Sequence, residues 1–305
     1  MTTATTPVAE SAGRAQSFSR RLSALIYRHP RWRLAGLLSA PLFWLGVLYL
    51  GSLVVMLVSS LWTVDDFTGA VIHKVSTKNY HTLLTEPVYR TVAIRTLLIA
   101  IGVTVVDALL ALPLAFFIAK VVRTRRMKYA LVIMVTMPLW TSYLVKGYAW
   151  QVMMDRNGAL DWALQPLGLH GPGLGLAATV AALAYVWLPY MILPVYAGFE
   201  RLPDSLLEAS ADLGAPAGRT FRSVVIPMII PALVAGSIFT FSLTLGDYIM
   251  VKIVGGSSQM FANIVYDNIG IAGNLPFAAA AAMFPIIVII LYLAAVRRTG
   301  ALENL

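Results

Sequence analysis

Long runs of apolar residues constrain this chain more than any other feature. Each run is near the roughly 20 residues that an α-helix needs to cross the hydrocarbon core of a membrane. Hydrophobic residues make up 59% of the chain and charged residues only 12%, against about 25% charged residues in a soluble domain. We therefore predict an all-α membrane protein with six transmembrane helices. The six runs lie at about 37–62, 92–119, 129–152, 176–199, 223–246 and 277–296.

Lysine and arginine are distributed unequally between the two sides of this six-helix arrangement. Sixteen of the 23 fall in the two termini and in the loops at 120–128 and 201–222, and seven fall on the alternate side. The excess of basic residues in cytoplasmic loops therefore predicts that both termini are cytoplasmic. We attribute the net charge of +9 to these loops, and we expect no nucleic-acid partner. Lys146, near the end of the third run, is expected to reach the membrane interface.

Three segments follow from this pattern. Residues 1–36 form a cytoplasmic tail that includes the basic segment SFSRRLSALIYRHPRWR at 17–33. This segment is predicted to lie on the membrane surface as an amphipathic helix, with a solvated basic tail as the alternative. Residues 37–296 form the transmembrane domain, with a polar loop at 200–222, and residues 297–305 form a cytoplasmic tail. No cleavage site follows a short apolar core, so we expect no signal peptide.

The loop between the fourth and fifth runs is more ordered than a connection requires. In LPDSLLEASADLG (202–214), Pro203 and Asp204 are typical of a helix start, and Gly214 is typical of a helix end. Glu208 and Asp212 lie one turn apart on one face. We predict a short exposed helix on the cytoplasmic side. An ordinary polar loop would explain the charges, but it would not explain this order of helix formers, small residues and terminal glycine.

The stretch EASADLGAPAGRTFRSVVIP (208–227) resembles the EAA loop of ABC importer permeases. The family pattern is E-A-A-x-x-x-G, nine residues, and then I-x-L-P. Ser210 replaces the second alanine, Val224 the isoleucine and Ile226 the leucine. The resemblance implies the type I ABC importer permease fold and a coupling helix that docks in a groove of a cytoplasmic ATPase. The candidate coupling residues are Glu208, Ala209, Ser210, Asp212, Leu213, Gly214 and Arg219.

The same resemblance implies the partners and the location of the chain. They are a second permease subunit, often a different chain, two cytoplasmic ATPase subunits that bind ATP and Mg, an extracytoplasmic substrate-binding protein, and the lipid of the bacterial cytoplasmic membrane. No cofactor is expected on this chain. Three segments resemble the spermidine/putrescine branch, which implies a polyamine cargo. They are YVWLPYMILPVYAGFERLP (185–203), LTLGDYIMVKIVGG (243–256) and NLPFAAAAA (274–282).

Other functions remain open at this point. The cargo could be another small solute, such as a sugar, an amino-acid derivative or ferric iron. A secondary transporter would need no ATPase, and a membrane-embedded enzyme would need a cluster of catalytic polar residues, which we do not find. The chain has no cysteine and only four scattered histidines, so we expect no metal site. GPGLG (171–175) has neither a preceding strand nor a lysine, and we interpret it as a turn and not as a nucleotide site.

Two acidic residues near membrane depth are candidates for the substrate pathway. Asp247 with the adjacent Tyr248 could hold a cationic amine by charge and by cation–π contact. Alternatively, Asp247 caps a turn or pairs with Lys252. Asp107 lies inside the second run, and for this residue we favour a hydrogen bond between helices of the bundle over a contact with substrate.

Aromatic residues near prolines are further candidates. Tyr185, Trp187 and Tyr190 surround Pro189 in the fourth run. Aromatic side chains at a broken helix can line a cavity, and they can equally form an interfacial belt or pack in the core. The same two interpretations apply to Trp140 and Tyr143, which follow Pro138.

Overall fold

The structure is a computed structural model that describes residues 30–65 and 67–297. Five of its helices are long and apolar enough to cross a membrane, and there are six crossings if a bent pair of helices is counted as one. Residues 17–29 of the predicted surface helix lie outside the described part. The crossings, numbered here as the first to the sixth span, are Leu38–Ser59, Pro87–Val121, Arg125–Trp140 with Tyr143–Met154, Leu176–Arg201, Ala217–Leu245 and Leu275–Val296.

The chain divides into two units, residues 1–58 and 59–305. In the first unit, α1 (Pro30–Phe43) continues through the π-helical turn Trp44–Leu50 into α2 (Gly51–Ser59). Each of these segments is rich in apolar residues, and most of the described side chains are exposed. An exposed apolar helix of this length is typical of a membrane-spanning segment.

The second unit begins with a short antiparallel hairpin, in which Thr63 pairs with Ile72 and Val64 with Val71. The other elements of its described part are helices, with π-helical turns at Phe117–Val121 and Phe221–Val225. Its elements are β1 (Thr63–Val64), β2 (Val71–Ile72), α3 (Lys78–Thr85), α4 (Pro87–Phe116), α5 (Arg125–Thr136), α6 (Tyr143–Met154), α7 (Ala159–Leu164), α8 (Leu176–Arg201), α9 (Asp204–Asp212), α10 (Ala217–Thr220), α11 (Ile226–Leu245), α12 (Ile249–Val254), α13 (Phe261–Gly270) and α14 (Leu275–Val296).

The core of this unit is formed by the second, fourth and fifth spans, which pack extensively against one another. Small residues allow the fourth and fifth spans to approach closely. A Cβ atom placed on Gly236 would lie 3.1 Å from the backbone of Met191, and one on Gly198 would lie 2.6 Å from the Cβ of Ala232. Such contacts between small residues are a main source of helix association in membranes, where lipid offers no hydrophobic driving force between helices.

The third crossing is not the straight helix that the apolar run at 129–152 predicts. It bends by 93° between Trp140 and Tyr143. Pro138 lies in a 3₁₀ turn at the bend, and Thr141 is extended. Proline removes a backbone N–H and interrupts the helix. The carbonyl of Pro138 accepts a hydrogen bond from the backbone N–H of Thr141 at 3.3 Å and a second one from Nζ of Lys146 at 3.1 Å. The prediction that Lys146 reaches the membrane interface is therefore wrong. Lys146 is only 7% exposed, and its Nζ is hydrogen-bonded to the carbonyl of Pro138 at the bend.

The segment GPGLG at 171–175 forms the irregular connection that precedes the fourth span. Gly173 and Gly175 have positive φ angles of 69° and 150°, which glycine adopts without a steric penalty. The backbone N–H of Gly171 donates to the carboxylate of Asp161 at 2.9 Å. This hydrogen bond lowers the pKa of Asp161, and it fixes the turn to α7.

Candidate functional site

The predicted helix in the polar loop is present as α9, Asp204–Asp212, which we call the loop helix. It ends in a Schellman motif. The N–H of Ala215 donates to the carbonyl of Ser210, and the N–H of Gly214 donates to the carbonyl of Ala211. Gly214 has a φ angle of +74°, a conformation that side chains other than that of glycine rarely adopt. The sequence EASADLG therefore folds as a short helix with a defined end.

Most candidate coupling residues are exposed on this helix and on the turn that follows it. Glu208, Ala209, Asp212 and Gly214 are exposed, and Leu213 exposes 88% of its surface. Arg219 is exposed at the start of the fifth span. Within the described part of the chain these residues are largely exposed, so their surface is available to contact another subunit.

Ser210 differs from the other candidate residues, because it faces the fifth span. Its hydroxyl is 2.8 Å from the hydroxyl of Thr220, and the pair is partly buried. Ser210 stands where the family pattern has alanine, which could not form this bond. The hydrogen bond fixes the C-terminal half of the loop helix to the cytoplasmic end of the fifth span. The sequence pattern did not single out Thr220.

The N-terminal end of the loop helix is held by a lysine that the sequence analysis missed. Nζ of Lys120, in the last turn of the second span, lies 2.6 Å from the carboxylate of Asp204 and 2.6 Å from the carbonyl oxygen of Leu202. The hydrogen bond and the charge of Lys120 lower the pKa of Asp204. The two residues are 84 positions apart, so no local pattern could have paired them.

A second lysine makes a similar contact nearby but does not touch the loop helix. Nζ of Lys128 lies 2.8 Å from the carboxylate of Glu200 and donates to the carbonyl of Ala119 at 2.6 Å. It thus joins the start of the third crossing to the ends of the second and fourth spans. Of these two lysines, Lys120 is the one that contacts the loop helix.

Asp247, at the end of the fifth span, is buried and hydrogen-bonded. One carboxylate oxygen accepts from the backbone N–H of Met250 at 2.9 Å, and the other accepts a short hydrogen bond from the hydroxyl of Tyr143. The alternative in which Asp247 pairs with Lys252 is wrong, because Nζ of Lys252 lies 2.7 Å from the carboxylate of Asp267. Asp247 thus connects the fifth span to α6, across 104 residues of sequence.

Tyr248 does not join Asp247 at this site. Its ring stacks on the ring of Tyr266 with centroids 4.6 Å apart. Nζ of Lys252 lies 4.0 Å from the centre of the Tyr266 ring, a cation–π contact. The structure therefore separates the pair that the sequence proposed and places Tyr143 on Asp247 instead.

The aromatic candidates of the fourth span divide into two groups. Trp187 lies between Tyr143 and Tyr190, with ring centroids 5.9 Å from each. Tyr190 continues this row to Phe239 on the fifth span. Tyr185 belongs elsewhere and packs against Trp150 of α6.

Tyr185 and Trp150 line an open cavity of about 370 Å³. Lys146 also lines it, close to the bend of the third crossing. Nζ of Lys146 has the Pro138 carbonyl as its hydrogen-bond acceptor among the described residues. An ammonium group can donate three hydrogen bonds. The cavity can therefore offer further donors to a polar group, beside two aromatic rings.

Asp107 is completely buried in the second span, and neither of its carboxylate oxygens has a hydrogen-bond partner among the described residues. The predicted hydrogen bond between helices is therefore absent from this part of the chain. Nε1 of Trp187 is also buried without a partner there. The neighbour of Asp107, Val106, packs against the same buried cluster as Trp187. An acidic side chain at membrane depth is unfavourable by about 2.5–3.5 kcal/mol on insertion scales, and such residues usually have a function.

Comparison with known proteins identifies the family. The family model described as "Binding-protein-dependent transport system inner membrane component" matches residues 111–298. The chain is 43% identical over 301 residues to the inner membrane ABC transporter permease protein YdcU of Escherichia coli (strain K12), covering 93% of this chain and 95% of that protein. It is 28% identical over 251 residues to the spermidine/putrescine transport system permease protein PotB of the same organism, covering 81% of this chain and 90% of that protein.

The fold agrees with this assignment. The structure is similar to the crystal structure of a bacterial ABC transporter involved in the import of the acidic polysaccharide alginate, with a TM-score of 0.65 and 15% identity, covering 91% of this chain and 99% of that chain. The predicted all-α permease fold and the multi-pass location in the bacterial inner membrane are confirmed, and the chain is not an enzyme. The family assignment also excludes the secondary transporter. This chain belongs to the inner membrane component family of binding-protein-dependent transport systems and is a permease subunit of an ABC importer.

Proposed function

We propose that this chain forms half of a translocation pathway and that the loop helix couples it to ATP hydrolysis by a cytoplasmic ATPase. The observation that carries this proposal is the loop helix itself. It presents Glu208, Ala209 and Leu213 to solvent, while both of its ends are hydrogen-bonded to membrane spans. An exposed leucine beside carboxylates suits a protein interface. ATP and Mg would be bound by the partner ATPase subunits.

The proposed assembly contains two permease subunits, two ATPase subunits and an extracytoplasmic substrate-binding protein. Support comes from the similar alginate importer, which has also been crystallised in complex with a substrate-loaded periplasmic protein. We expect closure of the ATPases to move the loop helices together as rigid bodies and to open the pathway outward. Hydrolysis of ATP would then return the pathway to its inward-open state.

We also propose that the termini and the loop helix lie in the cytoplasm. The unequal distribution of lysine and arginine supports this orientation. The division into a tail at 1–36, a permease domain at 37–296 and a tail at 297–305 is part of the same proposal. In this orientation, Asp247 and α6 lie toward the outer end of the spans.

The cargo that we propose is a polyamine. Similarity to PotB supports this proposal, and so does the presence of two buried carboxylates in the bundle, Asp107 and Asp247, of which Asp247 lies beside Tyr143. A carboxylate flanked by aromatic faces can bind an ammonium group by charge and by cation–π contact. Because the oxygens of Asp107 have no partner among the described residues, that side chain has the larger capacity for a new contact.

One observation favours a second class of cargo, an amino-acid derivative. Lys146 lines the cavity beside Trp150 and Tyr185. An ammonium group repels a polyamine, whereas it attracts a carboxylate. A solute with both an amine and a carboxylate would satisfy Lys146 and an acidic side chain together.

Uptake of labelled spermidine and putrescine by cells that lack this chain tests the proposal. The cells are complemented with wild type, with Glu208→Arg, or with Glu86→Arg, which reverses the charge of an exposed acidic residue outside the loop. We expect energy-dependent uptake with wild type and Glu86→Arg and a loss of at least tenfold with Glu208→Arg at equal expression. Normal uptake with Glu208→Arg would exclude the coupling role of that residue.

The same cells separate the two classes of cargo. If wild type restores no polyamine uptake but restores uptake of a labelled amino-acid derivative, the polyamine assignment is wrong and the permease assignment stands. Competition between unlabelled polyamines and amino-acid derivatives for the restored uptake gives the order of preference.

A further inference from the structure

The loop helix is joined by the chain to the fourth and fifth spans, but it also contacts a third one. Lys120 ends the second span, and its side chain is only 12% exposed. Its Nζ lies at 2.6 Å from both the Asp204 carboxylate and the Leu202 carbonyl oxygen. Leu202 is the buried residue just before the loop helix, and Asp204 is the first residue of that helix. One ammonium group thus holds the helix start from two sides.

Apolar packing beside this contact follows the same route. Phe116, one turn before Lys120 on the second span, packs edge-on against Phe199 of the fourth span and Phe221 of the fifth span. Phe116 also lines a groove of about 290 Å³ together with Leu207 and Ala211 of the loop helix. Because this groove is open, Phe116 alone does not fix the helix. The directional contact from the second span is the one made by Lys120.

We propose that Lys120 is a positioning residue that makes the second membrane span move together with the loop helix. The inference rests on the proposed coupling function and extends it to a span that is not adjacent to the loop in sequence. Asp107 lies on the second span about 20 Å from Lys120, at ~1.5 Å per residue. Movement of the loop helix would therefore be carried to the buried carboxylate at membrane depth.

The chain offers matched variants for a test. Lys120→Met removes the ammonium group and keeps an unbranched apolar side chain, and Lys120→Arg keeps a positive charge that can still bond both oxygens. Lys128→Met is the control, because Lys128 is also a partly buried lysine with one carboxylate and one carbonyl partner but does not contact the loop helix. Asp204→Asn weakens one of the two contacts of Lys120 and should give an intermediate effect.

The first measurement needs no knowledge of the cargo. Two cysteines placed in this cysteine-free chain, at Ser205 on the loop helix and at the exposed Leu98 on the second span, carry spin labels in the assembled transporter. Their distance is compared between the nucleotide-free and the vanadate-trapped states. We expect the distance between the labels to be the same in both states for wild type, Lys120→Arg and Lys128→Met. For Lys120→Met, we expect this distance to shift, or its distribution to broaden, by at least several ångströms after trapping. An unchanged distance with Lys120→Met would overturn the proposal.

The second measurement relates transport to ATP hydrolysis in proteoliposomes with the labelled solute that the uptake assay identifies. We expect Lys120→Met to lower the amount of solute moved per ATP at least fivefold, and Lys120→Arg to restore it. If Lys120→Met instead lowers ATP hydrolysis and transport equally, Lys120 only supports docking of the ATPase, and the positioning role is wrong. If Glu208→Arg transports normally while Lys120→Met is uncoupled, the coupling role of Glu208 fails separately.

Discussion

At the scale of single residues, Gly214 decides where the loop helix ends. Its φ angle of +74° is unfavourable by about 1–2 kcal/mol for an L-residue with a Cβ atom. We expect Gly214→Ala to destabilise the Schellman turn by that amount and to lower transport severalfold, because Leu213 and the helix end would be displaced. Gly218→Ala is the control, since Gly218 lies in α10 with ordinary φ and no neighbour within 4 Å of an added Cβ atom. Transport assays at matched expression compare Gly214→Ala with Gly218→Ala. Equal transport activity of the two variants would contradict the prediction.

The pair of Lys120 and Asp204 gives a second prediction at this scale. The pKa of Asp204 is lowered by the hydrogen bond from Lys120. Because the pKa in the folded chain lies below its ordinary value of 3.8, the stabilisation is complete above that value and is lost as the pH falls through the lowered pKa. Wild type should therefore have a higher Tm than Asp204→Asn at pH 7, and this advantage should shrink toward pH 3. An advantage that is the same at both pH values would contradict the pairing.

At the scale of elements, the close approach of the fourth and fifth spans depends on Gly236. An added Cβ atom would lie 2.7 Å from the sulfur of Met191 and 3.1 Å from its backbone. We expect Gly236→Ala to force the spans apart and to destabilise the protein by about 1–3 kcal/mol. Gly102→Ala in the second span has no neighbour within 4 Å and should leave stability unchanged or raised. Thermal unfolding in detergent distinguishes the two, and an unchanged Tm for Gly236→Ala would refute the tight contact.

The elements themselves were largely predictable from the sequence, because hydropathy and helix-end residues are local properties. The loop helix begins at Asp204 and ends before Gly214, as the sequence predicts. The bend of the third crossing was not predictable, because an apolar run with one proline is compatible with a straight span and with a bent one. Hydropathy does not report the direction of a helix.

The candidate site was less predictable than the elements, because its contacts join distant parts of the chain. Tyr143 and Asp247 are separated by 104 positions, and Lys120 and Asp204 by 84. Adjacency in sequence suggested that Asp247 and Tyr248 could hold one cationic amine together, but the ring of Tyr248 stacks on the ring of Tyr266. Such pairings follow from the packing of spans and not from local patterns.

At the scale of the whole molecule, the proposed orientation can be tested with single cysteines. Leu213 and Trp162 expose 88% and 75% of their surfaces, and they follow opposite ends of the spans. We expect a membrane-impermeant maleimide to label Trp162→Cys in intact spheroplasts and Leu213→Cys only after permeabilisation. The chain has no cysteine of its own, so wild type serves as the unlabelled control. The reverse pattern would place the loop helix outside and exclude its contact with a cytoplasmic ATPase.

The bend of the third crossing has a consequence for the surrounding lipid. The arm Arg125–Trp140 has a length of about 24 Å if its rise is ~1.5 Å per residue, whereas the hydrocarbon layer is about 30 Å thick. Since the next arm turns away by 93°, the crossing cannot match the bilayer by adding helix length. We expect the bilayer to thin locally around this arm, or flanking side chains to snorkel to the interface, with a modest free-energy penalty per ångström of hydrophobic mismatch. The stability of this transporter should therefore depend on the acyl chain length of the lipid. We expect it to be more stable in bilayers of lipids with shorter acyl chains than in bilayers of lipids with long saturated ones.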